Sequence, residues 1–190
     1  MEQQTIINKK KKILLLCDDL RFFSGISTMA KEMVLGIIHK YDVVNIAGLL
    51  NHPEKGKVLD LSQATKEAAI ANDPSKNYDN VYLKLYCTDG YGNADILKEV
   101  IAIEKPDAIV HFTDPRYWFW LYQMEHELRQ QLPLCYINIW DDLGYPMYNK
   151  SYYESCDALF AISRQTENIN KQVLGNDKYI TLDELIKLEK

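Results

Sequence analysis

The chain has 190 residues, 47% apolar and 26% charged, enough for one sizeable domain of ordinary globular composition with no low-complexity tract. Its formal charge of −5 argues against a general nucleic-acid binder, which needs a net basic face. Cys17, Cys87, Cys135 and Cys156 form no CxxC pair and no Cys/His group at metal-ligand spacing, so no metal site is expected and a reducing compartment is.

Residues 1–11 form a basic leader whose Lys9, Lys10 and Lys11 run on into Lys12. Its plain reading is a solvated approach to the first strand; the sharper one is peripheral contact with anionic lipid headgroups or a phosphorylated ligand. The apolar stretch 13–17 is too short for a signal peptide and stops at Asp18 and Asp19, so a cytoplasmic location is expected. No segment has the length of a membrane span.

The run 13–17 reads as a central strand covered on both faces. The spacing of Met29, Met33, Val34, Ile37 and Ile38 predicts a helix over 27–40. A second strand follows over 41–50, a turn-rich loop over 51–56, and a short alanine-rich helix near 63–71 within an ambiguous stretch. Residues 81–86 alternate as a strand, 94–104 form an amphipathic helix closed by Lys105 and Pro106, and 108–112 are a strand. A helix over 116–130 is entered through Asp114 as cap and Pro115. Then come a strand over 134–140, a helix over 148–155, a short strand over 158–162, and a helix from Ser163 to about Leu174 with Gly175 as its stop. Residues 182–190 look like a terminal helix.

This alternation implies an α/β domain over 12–176: a Rossmann-like, doubly wound, mostly parallel sheet with helices on both faces and right-handed crossovers. Ligands of such sheets lie beyond the carboxyl ends of the strands, so the loops there carry the functional candidates.

After the first strand, Asp18 to Thr28 lacks both GxGxxG and GxxxxGK[ST], which removes a dinucleotide turn and a P-loop. Ser24, Gly25 and Ile26 stand ahead of a helix, where free amides and a glycine suit an anion; equally, Ser24, Ser27 or Thr28 simply caps the helix. Asp18 and Asp19 look like a phospho-receiver pocket, but residues 45–51 supply no phosphoacceptor Asp and no Lys directly follows Trp140.

After residues 108–112, His111, Asp114 and Arg116 converge on one strand end. Arg116 suits a phosphate or carboxylate, His111 or Asp114 a sugar hydroxyl, and Tyr117, Trp118 and Trp120 a ring. The packing alternative makes His111 a core residue, Asp114 a cap and the aromatics helix core. After 134–140, Trp140 precedes Asp141 and Asp142, which suit a hydroxyl-rich ligand or a base, or else plain solvation and capping. No nucleophile elbow is present.

Three stretches resemble the N-terminal, acceptor-side domain of GT-B-fold glycosyltransferases, notably the retaining enzymes of glycosyltransferase family 4. They are "KILLLCDDLRFFSGISTMAKEMVLGI", "PLCYINIWDDL" and "YYESCDALFAISRQTENINKQVLG". The resemblance implies transfer of a hexose from a nucleotide sugar, with retention and without a metal. No cofactor is implied: the nucleotide sugar is a substrate, bound mainly by a C-terminal GT-B domain.

By the same resemblance Ser24, Gly25 and Ile26 lie against the donor diphosphate. His111, Asp114, Asp141 and Asp142 are the catalytic candidates, and Arg116, Tyr117 and Trp140 the substrate-binding ones. Asp141–Asp142 stands where the family has His-Asp, and Ser24–Gly25 where it has Gly-Gly. The expected partners are the donor, a sugar or other hydroxyl-bearing acceptor, and the C-terminal domain, which does not follow within these residues. The oligomeric state is open. The rival expectations are a freestanding nucleotide- or sugar-binding module without catalysis, and a subunit-interaction domain.

Overall fold

The structure, a computed structural model, describes residues 9–140, 142 and 144–175. The expected helix over 182–190, most of the leader, and Asp141 lie outside the described residues. The chain divides into two compact units, residues 1–110 and 111–190.

The first unit opens with β1 (Lys11–Asp18), α1 (Gly25–Ile37) and β2 (Tyr41–Leu49). It continues with β3 (Val58–Asp60), α2 (Ser62–Asn72), β4 (Leu83–Asp89) and α3 (Ala94–Glu104), and β5 (Ala108–Phe112) begins in it. The strand order is β3-β4-β2-β1-β5. β1 pairs with β2 and β2 with β4 in parallel, while the three-residue β3 is antiparallel to β4. β3 was hidden in the ambiguous stretch: three residues are too few to show a period.

Side chains alternate across the sheet. Leu15, Cys17, Val43, Asn45, Leu83 and Leu85 share one face, Leu14, Leu16, Val44, Lys84 and Tyr86 the other. α1 lies on β1 and α2 on β4, and the two helices touch each other. The strand order reverses between β4 and β5, and α3 makes the connection, its end meeting the face that carries Tyr86. There Glu104, at the end of α3, accepts from Lys12 Nζ at 2.8 Å, Tyr82 Oη at 2.7 Å and Tyr86 Oη at 2.8 Å.

The lysine run is drawn into this end of the sheet. Lys10 donates to the carbonyls of Ile38 and Asn80, Lys11 pairs with Asp107 at 2.7 Å, and Lys12 belongs to the Glu104 cluster.

In the second unit the end of β5 leads to a 3-10 turn (Pro115–Trp118), α4 (Phe119–Gln123) and α5 (Glu125–Leu128). β6 (Leu134–Asn138), a 3-10 turn (Met147–Asn149), α6 (Lys150–Glu154), β7 (Ala158–Ala161) and α7 (Arg164–Leu174) follow, with strand order β5-β6-β7 and β6 parallel to β7. The single helix expected over 116–130 is broken at Trp118 and Met124, whose φ is near −109° and −108°. The tight first turn lets Trp118 bury completely and donate its indole N–H to Thr113 Oγ1 at 2.5 Å. Tyr136, Tyr153, Ile169 and Val173 form the core beneath α6 and α7.

The fold is thus α/β with a mostly parallel sheet. Among the described residues no helix is long and apolar enough to cross a membrane.

Candidate functional site

In the first unit, β1 delivers Asp18 and the chain enters α1 through Ser24. Ser24 is extended and accepts the Ser27 N–H at 3.0 Å, so it caps the helix. Its own hydroxyl donates to Asp18 Oδ2 at 2.7 Å, and Tyr91 Oη donates to Asp18 Oδ1 at 3.3 Å. Helix α1 begins at Gly25, two residues before the expected 27, so Gly25 and Ile26 open the helix and the Ser24 side chain is committed to its cap. The Gly25 and Ile26 amides lie in the first turn, where a helix supplies no acceptors. A Cβ on Gly25 meets nothing within 4 Å, and α1 has no acidic residue in its first turn.

Behind this loop is a cluster that the sequence did not reveal. Asp19, 3% exposed at its side chain, accepts from Arg21 N at 2.8 Å, Arg21 Nε at 3.0 Å and Arg21 Nη2. His52 Nε2 lies 3.0 Å from Asp19 Oδ2, while His52 Nδ1 accepts the Glu54 N–H at 3.0 Å. That acceptor role places the ring proton on Nε2, so His52 is a neutral donor to Asp19. Arg21 Nη1 reaches Glu54 at 2.7 Å, and Nη2 lies 3.7 Å from Cys87 Sγ. Burial alone would raise the Asp19 pKa, but the Arg21 and His52 hydrogen bonds hold it below its ordinary value.

The ligand atoms of Asp19, His52 and Cys87 lie within 4.8 Å of one another, a nitrogen, oxygen and sulfur set that suits a transition metal. In this arrangement the cation among them is the Arg21 guanidinium. A metal there would have to displace it and remove the His52 Nε2 proton.

In the second unit, His111 is fully buried. Its Nδ1 is 3.0 Å from Tyr122 Oη, its Nε2 is 3.3 Å from Thr113 Oγ1, and its ring stacks on Tyr136 at 4.9 Å. One consistent direction runs from the Trp118 indole through Thr113 to His111, then through Tyr122 and Cys156 to the Tyr152 carbonyl. Burial pushes the His111 pKa down to about 3. His111 is packed as a core residue in its neutral form, the packing alternative to the hydroxyl-orienting role.

Asp114 caps the 3-10 turn by accepting the Arg116 N–H at 2.9 Å, and it takes the Arg116 fork as well. Arg116 also lies over the Tyr148 ring, 5.4 Å from its centroid, and Tyr148 meets Trp140 edge-on at 5.9 Å. Trp140 is held by Asn138 Oδ1 at its N–H and by the Gly144 carbonyl at its indole. Asp142 and Tyr117 are exposed.

The structure therefore joins Asp114, Arg116 and Trp140 through Tyr148, and keeps His111 beneath them. Tyr148 was missed because it was read as the first residue of a helix. Asp19 was missed as a buried anchor, yet its Asp-x-Arg spacing, shared with Asp114-Pro115-Arg116, was a usable signal.

Comparison with protein-family models, curated proteins and solved structures found no significant match.

Proposed function

We propose that these residues are the N-terminal, acceptor-side domain of a GT-B-fold glycosyltransferase of family 4 type. Joined to a donor-binding domain, it transfers a hexose from a nucleotide sugar to a hydroxyl of the acceptor. The anomeric bond to phosphate breaks, a glycosidic bond to the acceptor oxygen forms, and the nucleoside diphosphate leaves with the acceptor's proton.

The observation that carries this reading is the start of α1. Gly25 and Ile26 present main-chain N–H groups at the positive end of a helix, next to the carboxyl end of the sheet's central strand β1. The Asp18–Ser24 bond fixes the cap, and the open space over Gly25 lets a diphosphate approach the backbone. The cytoplasm, where nucleotide sugars are at hand, is the compartment this reading implies, in keeping with four free thiols.

The test uses the product of the whole reading frame that contains these residues, with UDP- and GDP-hexoses and a sugar acceptor. Acceptor-dependent release of the nucleoside diphosphate is expected; a folded product that neither binds a nucleotide sugar nor releases diphosphate contradicts the reading.

A second reading draws on Phe23, 98% exposed, beside the half-exposed Phe22. A subunit contact there requires concentration-dependent self-association that Phe23→Ser abolishes, and a monomer at all concentrations rules it out.

A further inference from the structure

We infer that Tyr148, Trp140, Arg116 and Tyr117 form a preset platform on which an uncharged saccharide ring stacks, which makes a neutral sugar the acceptor class of this domain. The inference rests on the acceptor-side reading above and names the substrate class of that side.

Besides Phe160 on β7, the described residues of the second unit hold Tyr117, Phe119, Tyr145 and Tyr148 in solvent, 63%, 57%, 52% and 58% exposed. Scattered singly, such residues need no explanation, but these come from the segments that follow β5 and β6, where parallel sheets take ligands. Tyr148 is exposed and yet fixed. Trp140 stands edge-on to its ring at 74°, and Arg116 covers part of it. Trp140 is itself tied at three points, since its carbonyl also accepts the Thr166 hydroxyl at 3.3 Å. Arg116 is oriented by the Asp114 carboxylate. Rings held this way lose little freedom when a ligand arrives, which is the property of a prepared surface.

The chemistry selects the ligand. An aromatic face takes the C–H face of a sugar ring, and the polar groups at its edge take hydroxyls. Among the described residues, the segments 111–120 and 138–148 carry two carboxylates, Asp114 and Asp142, against one guanidinium, Arg116. Arg116 already spends its charge on Asp114. A phosphate-bearing acceptor would meet this excess of negative charge, and a neutral saccharide would not.

The test is an NMR titration of the 190-residue chain with the methyl glycosides of glucose, galactose and mannose and their disaccharides, with glucose 6-phosphate as the charged probe. Expected are saturable shifts of the Trp140 indole and Tyr148 ring signals with at least one neutral sugar, and weaker binding of the phosphate. Tyr148→Ala should weaken that binding about tenfold, the upper range of one aromatic contact, while Tyr148→Phe retains it. Because Tyr148 is exposed, the alanine variant should fold, and the phenylalanine variant separates stacking from any role of the hydroxyl.

Failure of every neutral sugar to saturate, wild-type affinity in Tyr148→Ala, or tighter binding of the phosphate overturns the inference. Sugar binding at the platform without transfer by the full reading-frame product counts against the glycosyltransferase reading alone. Transfer with an unchanged acceptor KM in Tyr148→Ala counts against the platform alone.

Discussion

Arg21 grips Asp19 with its main-chain N–H and with two side-chain nitrogens, and Arg116 grips Asp114 with the same three atoms. Each clasp sits within two residues of a strand end, that of β1 or β5, and spans two residues. In each the aspartate closes a turn with its own chain and holds the guanidinium flat against it. The settings differ: Asp19 is 3% exposed at its side chain, whereas Asp114 is 25% exposed and Arg116 53%.

That difference predicts unequal costs. Arg21→Ala strands a buried carboxylate and should destabilise the protein by about 2 kcal/mol, below the usual loss for a buried pair because Arg21 is partly in water. Arg116→Ala removes an exposed pair and should cost under about 1 kcal/mol. Urea unfolding of the two variants decides the point, and equal losses would refute the burial argument.

Glu104 predicts an acid-sensitive first unit. Burial would raise its pKa, but Lys12, Tyr82 and Tyr86 together bring it from its ordinary 4.5 down to about 2. A carboxylate depressed on folding stabilises above its unfolded pKa and loses that stabilisation as pH falls towards the folded one. The unfolding free energy should therefore fall between about pH 4.5 and 2, by on the order of 2 kcal/mol from this group. Glu104→Gln should lower stability at pH 7 and flatten the slope in that window; an unchanged slope would show that the cluster is not coupled to folding.

His111 predicts a silent titration. With its folded pKa lowered by burial to about 3, the ring stays neutral through the neutral and mildly acidic range. The unfolded chain takes up this proton below about pH 6.5, so the group's contribution is complete above that value and declines as pH falls below it. Nitrogen-15 shifts of the imidazole should remain those of a neutral ring from pH 8 to 5. A titration midpoint near 6.5 would mean that the ring is open to solvent.

Gly48 and Gly25 predict opposite outcomes for the same substitution. A Cβ on Gly48 would lie 2.8 Å from Tyr91 Cδ1 and 2.9 Å from the Gly90 carbonyl, so Gly48→Ala should cost about 1–3 kcal/mol by overpacking. Gly25→Ala meets open space at the first position of α1 and should leave the melting temperature unchanged or raise it. Any loss of donor binding in Gly25→Ala then reports the ligand's approach and not the fold.

The parallel sheet was legible because its strands are unbroken apolar runs and its helices carry a 3.6-residue period, as 13–17 and 94–104 show. Asp114 as a cap was legible because Asp-Pro has only a few uses at a helix start. The fate of His111 was not: a histidine at the end of a strand reads alike whether its ring meets a ligand or Tyr122 and Tyr136. Tyr148 stayed hidden for a different reason, since its partners Arg116 and Trp140 are 32 and 8 residues away in the chain. The Asp19 cluster brings together residues as distant as Arg21 and Cys87, 66 apart in the chain, and no local pattern announces such a meeting.

The most direct test of the central claim is nucleoside diphosphate release by the full reading-frame product, measured with a nucleotide hexose in the presence and absence of a neutral saccharide. The account predicts release that depends on the acceptor and falls at least about tenfold in Gly25→Ala, the change in rate that 1.4 kcal/mol of lost transition-state contact produces. Acceptor-dependent release untouched by Gly25→Ala would contradict the role given to the start of α1, and a folded product with no release at all would contradict the glycosyltransferase reading itself.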